Sequence, residues 1–436
     1  MKKIAFIGAG SVQFTTAVVR DITTYSAFDT VEICLMDINE YRLAEIAKCV
    51  QRIKKDMGSA ITITSTTSRE EALRNADAVV VTVFNGDMDI WRHEIEIPMK
   101  YGVNINIGDT RSVSGIFRAL RNIPLMLDIC HDVERLCPKA VVLNYTNPMA
   151  MLCKAMLTYT NVDVTGLCHS VQGTSKMLAD WADADYSDVK YTCVGINHMA
   201  FFTELKSGNA DLYPILRKKV ETEEFYNKEK VRNEIFKTFG YYVTESSGHN
   251  SEYTPWFRKR PDLILKYCSS NGANWNPGEH AASLKERQDP LRFDKLVKAF
   301  MEKPLKKTRS HEYAANILNA RIGDGTPFDF NANVLNNGSV ENLPYDACVE
   351  IPVTATKDGY IRKFQGKLPS NIAPLVAYTA GIENLTVEAW EKKSKQLVYQ
   401  AVSLDPLCSA VLSLQEIRDM CDELFEINKD YLGDYQ

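Results

Sequence analysis

No stretch of this 436-residue chain reaches the ~18 or more consecutive apolar residues that a membrane span needs, so no membrane partner is expected. Strong charge of either sign is also missing. Lys and Arg number 51 against 56 Asp and Glu, a net charge of −5, which offers nucleic acid nothing to bind. The 11 cysteines contain no CxxC pair; odd in number and scattered, they point to free thiols and a reducing, cytoplasmic setting. Repeats, low-complexity tracts and flexible linkers are lacking too, so any domains should pack closely. The opening MKKIAFIGAGSV starts like a secretion signal, but its apolar run breaks at Gly8-Ala9-Gly10 and no small-residue cleavage site follows. It reads as a strand. What remains is 45% hydrophobic and 25% charged, an ordinary soluble composition for which a small molecule is the expected partner.

The first ~200 residues alternate short β-branched runs with longer amphipathic ones, the pattern of a doubly wound parallel α/β sheet. Six strands are expected, Ile4–Gly8, Val31–Asp37, Ile61–Thr64, Ala78–Phe84, Ala140–Asn144 and Val164–Cys168, with helices such as Tyr41–Lys55 and Arg118–Leu136 between them. The regularity fades after Gly195. Residues 1–195 therefore read as a Rossmann-type domain and 196–436 as an α+β substrate region. That region should hold a helix near Ser310–Ile322, strands Phe328–Val334 and Ala347–Thr354 joined through Asn336-Asn337-Gly338, and helices Val387–Leu404 and Leu414–Asn428.

The first strand runs into Gly8-Ala9-Gly10-Ser11 and then a helix, an arrangement that lets backbone approach a pyrophosphate at a helix N-terminus. Gln13 replaces the third glycine of GxGxxG, so the turn alone is equally a structural one. Asp37 at the end of the second strand adds weight, since a carboxylate there accepts both ribose hydroxyls of NAD and repels the extra phosphate of NADP. Two later strands also end in polar clusters, Asn144–Pro148 and Cys168-His169-Ser170, where ligands of open α/β sheets sit. Asn147-Pro148 is otherwise a turn and Cys168 a buried small hydrophobe. His198, among apolar neighbours, could be a satisfied core residue. Brought together, however, the Cys168 thiolate and the His198 imidazole could hold a divalent cation. The segment His249–Phe257 supplies aromatic faces and polar edges of the kind that sugars use, with Trp256 as a stacking platform.

These motifs together resemble the family 4 glycoside hydrolases, the NAD- and metal-dependent glycosidases, and within them the α-galactosidase (melibiase) branch. The resemblance is carried by IGAGS (Ile7–Ser11), LMDI (Leu35–Ile38), GIFRALRNIP (Gly115–Pro124), NYTNPMAM (Asn144–Met151), GLCHSVQGT (Gly166–Thr174), GINHMAF, TESSGHNSEYTPWF and NNGSVENLP (Asn336–Pro344). It implies NAD held by Gly8, Gly10, Ser11 and Asp37, with Asn85 past the fourth strand, and Mn2+ or another divalent ion on Cys168 and His198. The implied reaction oxidises C3 of the sugar, removes the C2 proton with Tyr253 as base, eliminates the C1 substituent, adds water and returns the hydride. This route lies outside the two-carboxylate scheme of most glycosidases. His169 argues for an unphosphorylated α-galactoside and for protonation of its leaving group. Asn147 looks like a binder of sugar hydroxyls. Arg111, Ser112 and Ser114 depart from the glycine-rich stretch usual in the family; together with Asp109 they are expected near the substrate, where Arg111 would make a carboxylate-bearing α-hexuronide thinkable. The family tends to form homodimers or homotetramers. A 2-hydroxy-acid dehydrogenase or a nucleotide-binding sensor would account for the glycine turn and Asp37, but not for Cys168, His198 and Tyr253 together.

Overall fold

The computed structural model describes residues 1–268 and 279–436. Strands β1 (Lys3–Ile7), β2 (Glu32–Met36), β3 (Thr62–Thr66), β4 (Ala78–Val81), β5 (Val141–Asn144) and β6 (Asp163–Gly166) are parallel, in the order β3-β2-β1-β4-β5-β6. This is the strand order of a dinucleotide-binding fold. The central strands β4 and β5 are buried along their whole length, as strands covered by helices on both faces must be.

The sheet does not stop at β6. After β7 (Val189–Ile196), β8 (Met199–Ser207) and the short β9 (Ala210–Asp211) come β10 (Phe328–Leu335), β11 (Cys348–Thr356) and β12 (Gly359–Arg362), and the path continues β6-β10-β11-β7-β8-β9. β10 joins β6 antiparallel through Asn333 and Gly166, where any Cβ on the glycine would sit 2.4 Å from Met149 Sδ and 2.6 Å from Cys153 Sγ. The strand pair expected in the substrate region is thus an extension of the first sheet, continuous across residue 195, the border that composition suggests.

Local differences from the sequence expectation have local causes. The single helix expected over Val387–Leu404 is two, Ala373–Glu391 and Lys395–Leu404. Lys393 takes φ 47° and the Ser394 hydroxyl caps the second helix by accepting from Leu397 N at 3.4 Å, so a cap signal overrides the apolar period. The helix expected from Arg118 starts at Ser112, which pulls the second half of the 108–115 loop into its first turn. Gly115 makes that possible, since any Cβ there would lie 2.6 Å from the Thr110 carbonyl carbon. No helix among the described residues is long and apolar enough to cross a membrane.

Candidate active site

Two cavities meet above the carboxyl ends of the parallel strands. The larger, about 930 Å³, is lined by Gly8, Gly10, Ser11, Asp37 and the residues after β4. Its geometry follows from the first βα turn. Gly8 has φ +85° and no room for a side chain, because a Cβ would lie 2.3 Å from Thr82 O. Ser11 caps the helix Val12–Ile22. The Asp37 carboxylate accepts from Gly10 N at 2.7 Å and from Asn39 N at 2.9 Å, tying the end of β2 to the turn. A Cβ on Gly10 would stand 2.6 Å from that carboxylate, so backbone and carboxylate form a cradle open to a ligand. Asn85 is placed differently from the expectation. Its side-chain amide donates to Arg121 O at 2.6 Å and its backbone N–H to Asn122, which turns it toward the helix Ser112–Leu136.

The smaller cavity, about 430 Å³, shares Ser11, Thr82 and Val83 with the first and is lined by Asp109, Asn147, Cys168, His169, His198, Glu245 and His249. His198 sits in the two-residue loop between β7 and β8 at φ 60°, a conformation that β-strand neighbours and a tight turn impose on a non-glycine residue. Gly195 permits the turn, since a Cβ would press within 2.6 Å of Ala200 Cα. The outcome is a His198 Nε2 that lies 3.2 Å from Cys168 Sγ. Behind the ring, Nδ1 faces the Tyr253 hydroxyl at 3.2 Å and the Thr110 hydroxyl at 3.3 Å. Burial pushes the imidazole down to about 4, which keeps it neutral and able to ligate. Burial, with Glu350 and Glu245 adding to it, pushes the Cys168 thiol up to about 12.

The residues fit a divalent cation. A thiolate at ~2.3 Å and an imidazole at ~2.0 Å on one ion stand about 3.1 Å apart at a right angle and about 3.5 Å apart at a tetrahedral one, and the 3.2 Å found lies between the two. A bound ion deprotonates a coordinating thiol outright, and the contacts behind Nδ1 are those that orient a ligating histidine. His198, Glu245 and His249 also present donor atoms within 4.8 Å of one another.

Glu245 and His249 were not singled out from the sequence. Glu245, at φ 73°, pairs with His249 Nδ1 at 2.9 Å, and His249 Nε2 reaches Asp109 at 3.4 Å. Burial works against both carboxylates, but His249 outweighs it and holds each well below the usual range; burial likewise opposes, and Glu245 and Asp109 override, so His249 is held well above its own. The spacing of four between Glu245 and His249, around the helix cap Ser246, was the signal available. Arg118 is a further charged lining residue that the sequence reading did not name as a site residue. It is 8% exposed, stacks on Trp91 at 4.4 Å, and its Nε and one terminal nitrogen have no partner within the protein.

The remaining expectations divide. Asn147 lines the cavity with a buried, unpartnered Oδ1, and His169 stands at its exposed edge with Nε2 2.5 Å from Glu312. Tyr253 is 2% exposed and touches His198 from behind. Burial, then Asp109 and Glu252, hold its phenol well above the usual value, against the pull of the Arg111 guanidinium 4.9 Å over its ring. Arg111 itself faces away from the cavity. It donates to Glu383 at 3.0 Å and to the Asn197 carbonyl, so it braces the His198 turn; its other terminal nitrogen has no partner among the described residues, but the side chain is not part of the cavity lining. Ser112 is likewise committed, to Asp405 at 3.1 Å, and Ser114 to Glu94 O. Asp109 stays in the lining because Glu252, buried, accepts from the N–H groups of Asn106 and Ile107 at 2.7 and 2.9 Å and fixes the strand-like run before it. Trp256 packs on Phe239 at 5.5 Å and on Phe257, in the apolar core and outside the cavity.

Known proteins resemble this chain along its length. Residues 3–184 match the Family 4 glycosyl hydrolase model and residues 193–408 its C-terminal domain. An α-galactosidase of Bacillus subtilis (strain 168) is 39% identical over the full length of both chains. An α-galactosidase of Rhizobium meliloti (strain 1021) is 35% identical over 99% of this chain and 89% of its own. A 6-phospho-α-glucosidase from gut microorganisms, solved in complex with NAD and Mn2+, superposes with a TM-score of 0.81 at 19% identity over all of both chains.

Proposed function

The chain belongs to family 4 of the glycosyl hydrolases, and from that premise we propose that it hydrolyses neutral, unphosphorylated α-galactosides with NAD+ and a divalent cation, Mn2+ by preference. The observation that carries the reading is the Cys168–His198 pair, 3.2 Å apart, in a cavity that opens onto the glycine-turn cleft at Ser11, Thr82 and Val83.

Gly8, Gly10, Ser11 and Asp37 bind the dinucleotide, and Cys168 and His198 hold the cation, with Thr110 and Tyr253 fixing the imidazole. When bound, NAD+ supplies a hydride acceptor for C3 of the sugar, and the cation supplies Lewis-acid stabilisation of an enolate and positive charge beside Tyr253. Asn147 accepts from a sugar hydroxyl, because its buried Oδ1 otherwise lacks a partner. Tyr253, which lies behind His198 and outside the cavity lining, would take the C2 proton once the charge of the cation had drawn off its own proton. His169, held by Glu312 at the cavity edge, protonates the departing oxygen. A neutral substrate is supported by charge balance: His249 pairs with both Asp109 and Glu245, Arg118 has no ion-pair partner among the described residues but feels the charge of Asp109, and Arg111, outside the lining, pairs with Glu383.

Hydrolysis of nitrophenyl α-galactoside should require NAD+, Mn2+ and a reductant, and galactose formed in D2O should carry deuterium at C2. Full activity after removal of nucleotide and metal would refute the reading. A parallel panel of α-glucoside, α-glucuronide and 6-phospho sugars tests the neutral preference. The location and assembly proposed are cytoplasmic and homo-oligomeric; 11 free thiols support the first, and the exposed Tyr345, Ile361 and Phe364 support the second.

A further inference from the structure

The larger cavity has a wall that the Rossmann half does not supply. Opposite the end of β2 it is lined by Arg287, Arg292, Phe293 and Leu296, which belong to helices Glu279–Arg287 and Pro290–Glu302 of the second half of the chain. The helix Pro290–Glu302 is anchored on the start of helix Glu40–Met57, directly after Asp37. The Phe293 ring lies under the Arg42 guanidinium at 4.9 Å and edge-on to Tyr41, and the Tyr41 hydroxyl donates to Asp294 at 2.5 Å. Further along, Arg52 donates to the Phe300 and Lys303 carbonyls, so the helix is tied down at both ends.

Docked in this way, the helix turns two exposed groups to the cleft. Leu296 is 39% exposed and Arg292 is exposed, and both line the same cavity as Ile38, which is 86% exposed. An isoleucine left in water immediately after the ribose-binding carboxylate has no packing role in the free chain. It can shed that exposure against a flat apolar ring. The second wall matches such a ring, with an aliphatic face from Leu296 and a guanidinium plane from Arg292 that stacks on π systems. Arg42 and Arg287 also line the cleft with Asp37, and so does Arg69, which is paired with Asp132 at 2.6 Å; this cationic lining suits a diphosphate between the two ribose units.

We propose that the adenine of the dinucleotide is bound between Ile38 and the Arg292–Leu296 face of helix Pro290–Glu302, so that the second half of the chain reads the adenylate end of the cofactor. The proposal rests on the reading of the cleft as a dinucleotide site. It gives the glycine turn, which lacks its third glycine, an additional source of affinity, and it ties cofactor binding to a helix outside the parallel sheet.

The test is calorimetric titration of NAD+, ADP-ribose and nicotinamide mononucleotide into the full chain and its Leu296→Asp and Arg292→Ala variants, both changes falling on exposed positions of the helix. NAD+ and ADP-ribose should each bind about tenfold or more weakly to the variants, with Mn2+ affinity unaltered. In addition, ADP-ribose should protect the backbone amides of Leu291–Met301 from hydrogen exchange in the wild-type chain. Affinities for NAD+ and ADP-ribose within twofold of wild type, or no added protection, would overturn the inference while leaving the cofactor reading intact. A wild-type chain that binds neither NAD+ nor ADP-ribose would overturn both.

Discussion

The two cavities that meet at Ser11, Thr82 and Val83 are made of different material. In the larger one the decisive contacts are backbone: Gly8 against Thr82 O, and Gly10 N and Asn39 N on the Asp37 carboxylate. Each comes from a turn that its own few residues specify. In the smaller one the decisive atoms are side chains from at least five separate segments, around residues 109, 147, 168, 198 and 245–249, and the backbone bends to present them. Two of those residues, His198 and Glu245, stand at φ 60° and 73°, a conformation that costs on the order of 1 kcal/mol or more for a non-glycine residue. Polar atoms of Asn147 and Arg118 are buried there without protein partners, and buried donors and acceptors are expensive to leave unmet. A backbone cradle is cheap and general. A cavity of strained and unsatisfied side chains persists only where a ligand completes it, and the rest of the fold must hold it open.

Breaking the smaller cavity at its centre should have the largest effect. Cys168→Ser is expected to take turnover of nitrophenyl α-galactoside to background while NAD+ titrates with near wild-type affinity, because no atom of the glycine turn moves. Retained turnover would mean that the cysteine only packs. The converse change is Gly10→Ala, which places a methyl 2.6 Å from the Asp37 carboxylate. It should weaken NAD+ by tenfold or more, about 1.4 kcal/mol, and leave Mn2+ binding as it was. If either variant loses both ligands together, the two cavities are not separable as described.

The same contrast explains what could be read from the chain. Strands β1 to β6, the turn at Gly8–Ser11 and the place of Asp37 follow from residues adjacent in sequence, and the structure has each within a residue or two of its expected position except the end of β4, expected at Phe84 and found at Val81. Cys168 and His198 are 30 residues apart, in a β6 exit and a hairpin loop, and only the family resemblance joined them before the fold did. Trp256 and Arg111 show where the reading of side chains fails. An aromatic in a polar-aromatic segment is as apt for a core as for a sugar, and Phe239, which claims Trp256, lies 17 residues earlier on another element. Arg111 carries a charge that looked free, but its partner Glu383 is 272 residues away on helix Ala373–Glu391. Spacing in the sequence holds no trace of that pairing.

That pairing sharpens the comparison further, because it bears on what holds the His198 turn in place. The Arg111–Glu383 pair is buried, with side chains 5% and 6% exposed. Arg111→Met strands the Glu383 carboxylate and should cost roughly 3–5 kcal/mol of stability in denaturant titration. Adding Glu383→Leu should recover part of that loss, since two apolar groups leave no buried charge behind. Preference among sugars should be unaltered in any variant that folds. A wild-type chain active on an α-galacturonide that loses this activity alone in Arg111→Met would restore Arg111 to the substrate.

A graded effect, set by pH, concerns the strand beneath the same turn, where Glu350 on β11 pairs in register with Gly195 on β7. Burial, against the opposing pull of Arg111, lifts its carboxyl from the usual 4.5 to about 8, so the folded chain keeps the proton there at neutral pH. The unfolded chain releases it once pH passes the ordinary carboxyl value. Between about pH 4.5 and 8 the folded state therefore binds one more proton than the unfolded state, and stability falls as pH rises through that window. The contribution is whole below the window and gone above it. At ~1.4 kcal/mol per pH unit, the full span is on the order of 5 kcal/mol, an upper limit once the site relaxes. Glu350→Gln keeps the shape and hydrogen-bonding capacity of the protonated acid but cannot ionise. Its melting temperature should match wild type near pH 5 and exceed it near pH 8, with the gap opening steadily between. An equal offset at both pH values would show that Glu350 is ionised in the fold and that the strand beneath the turn carries its charge.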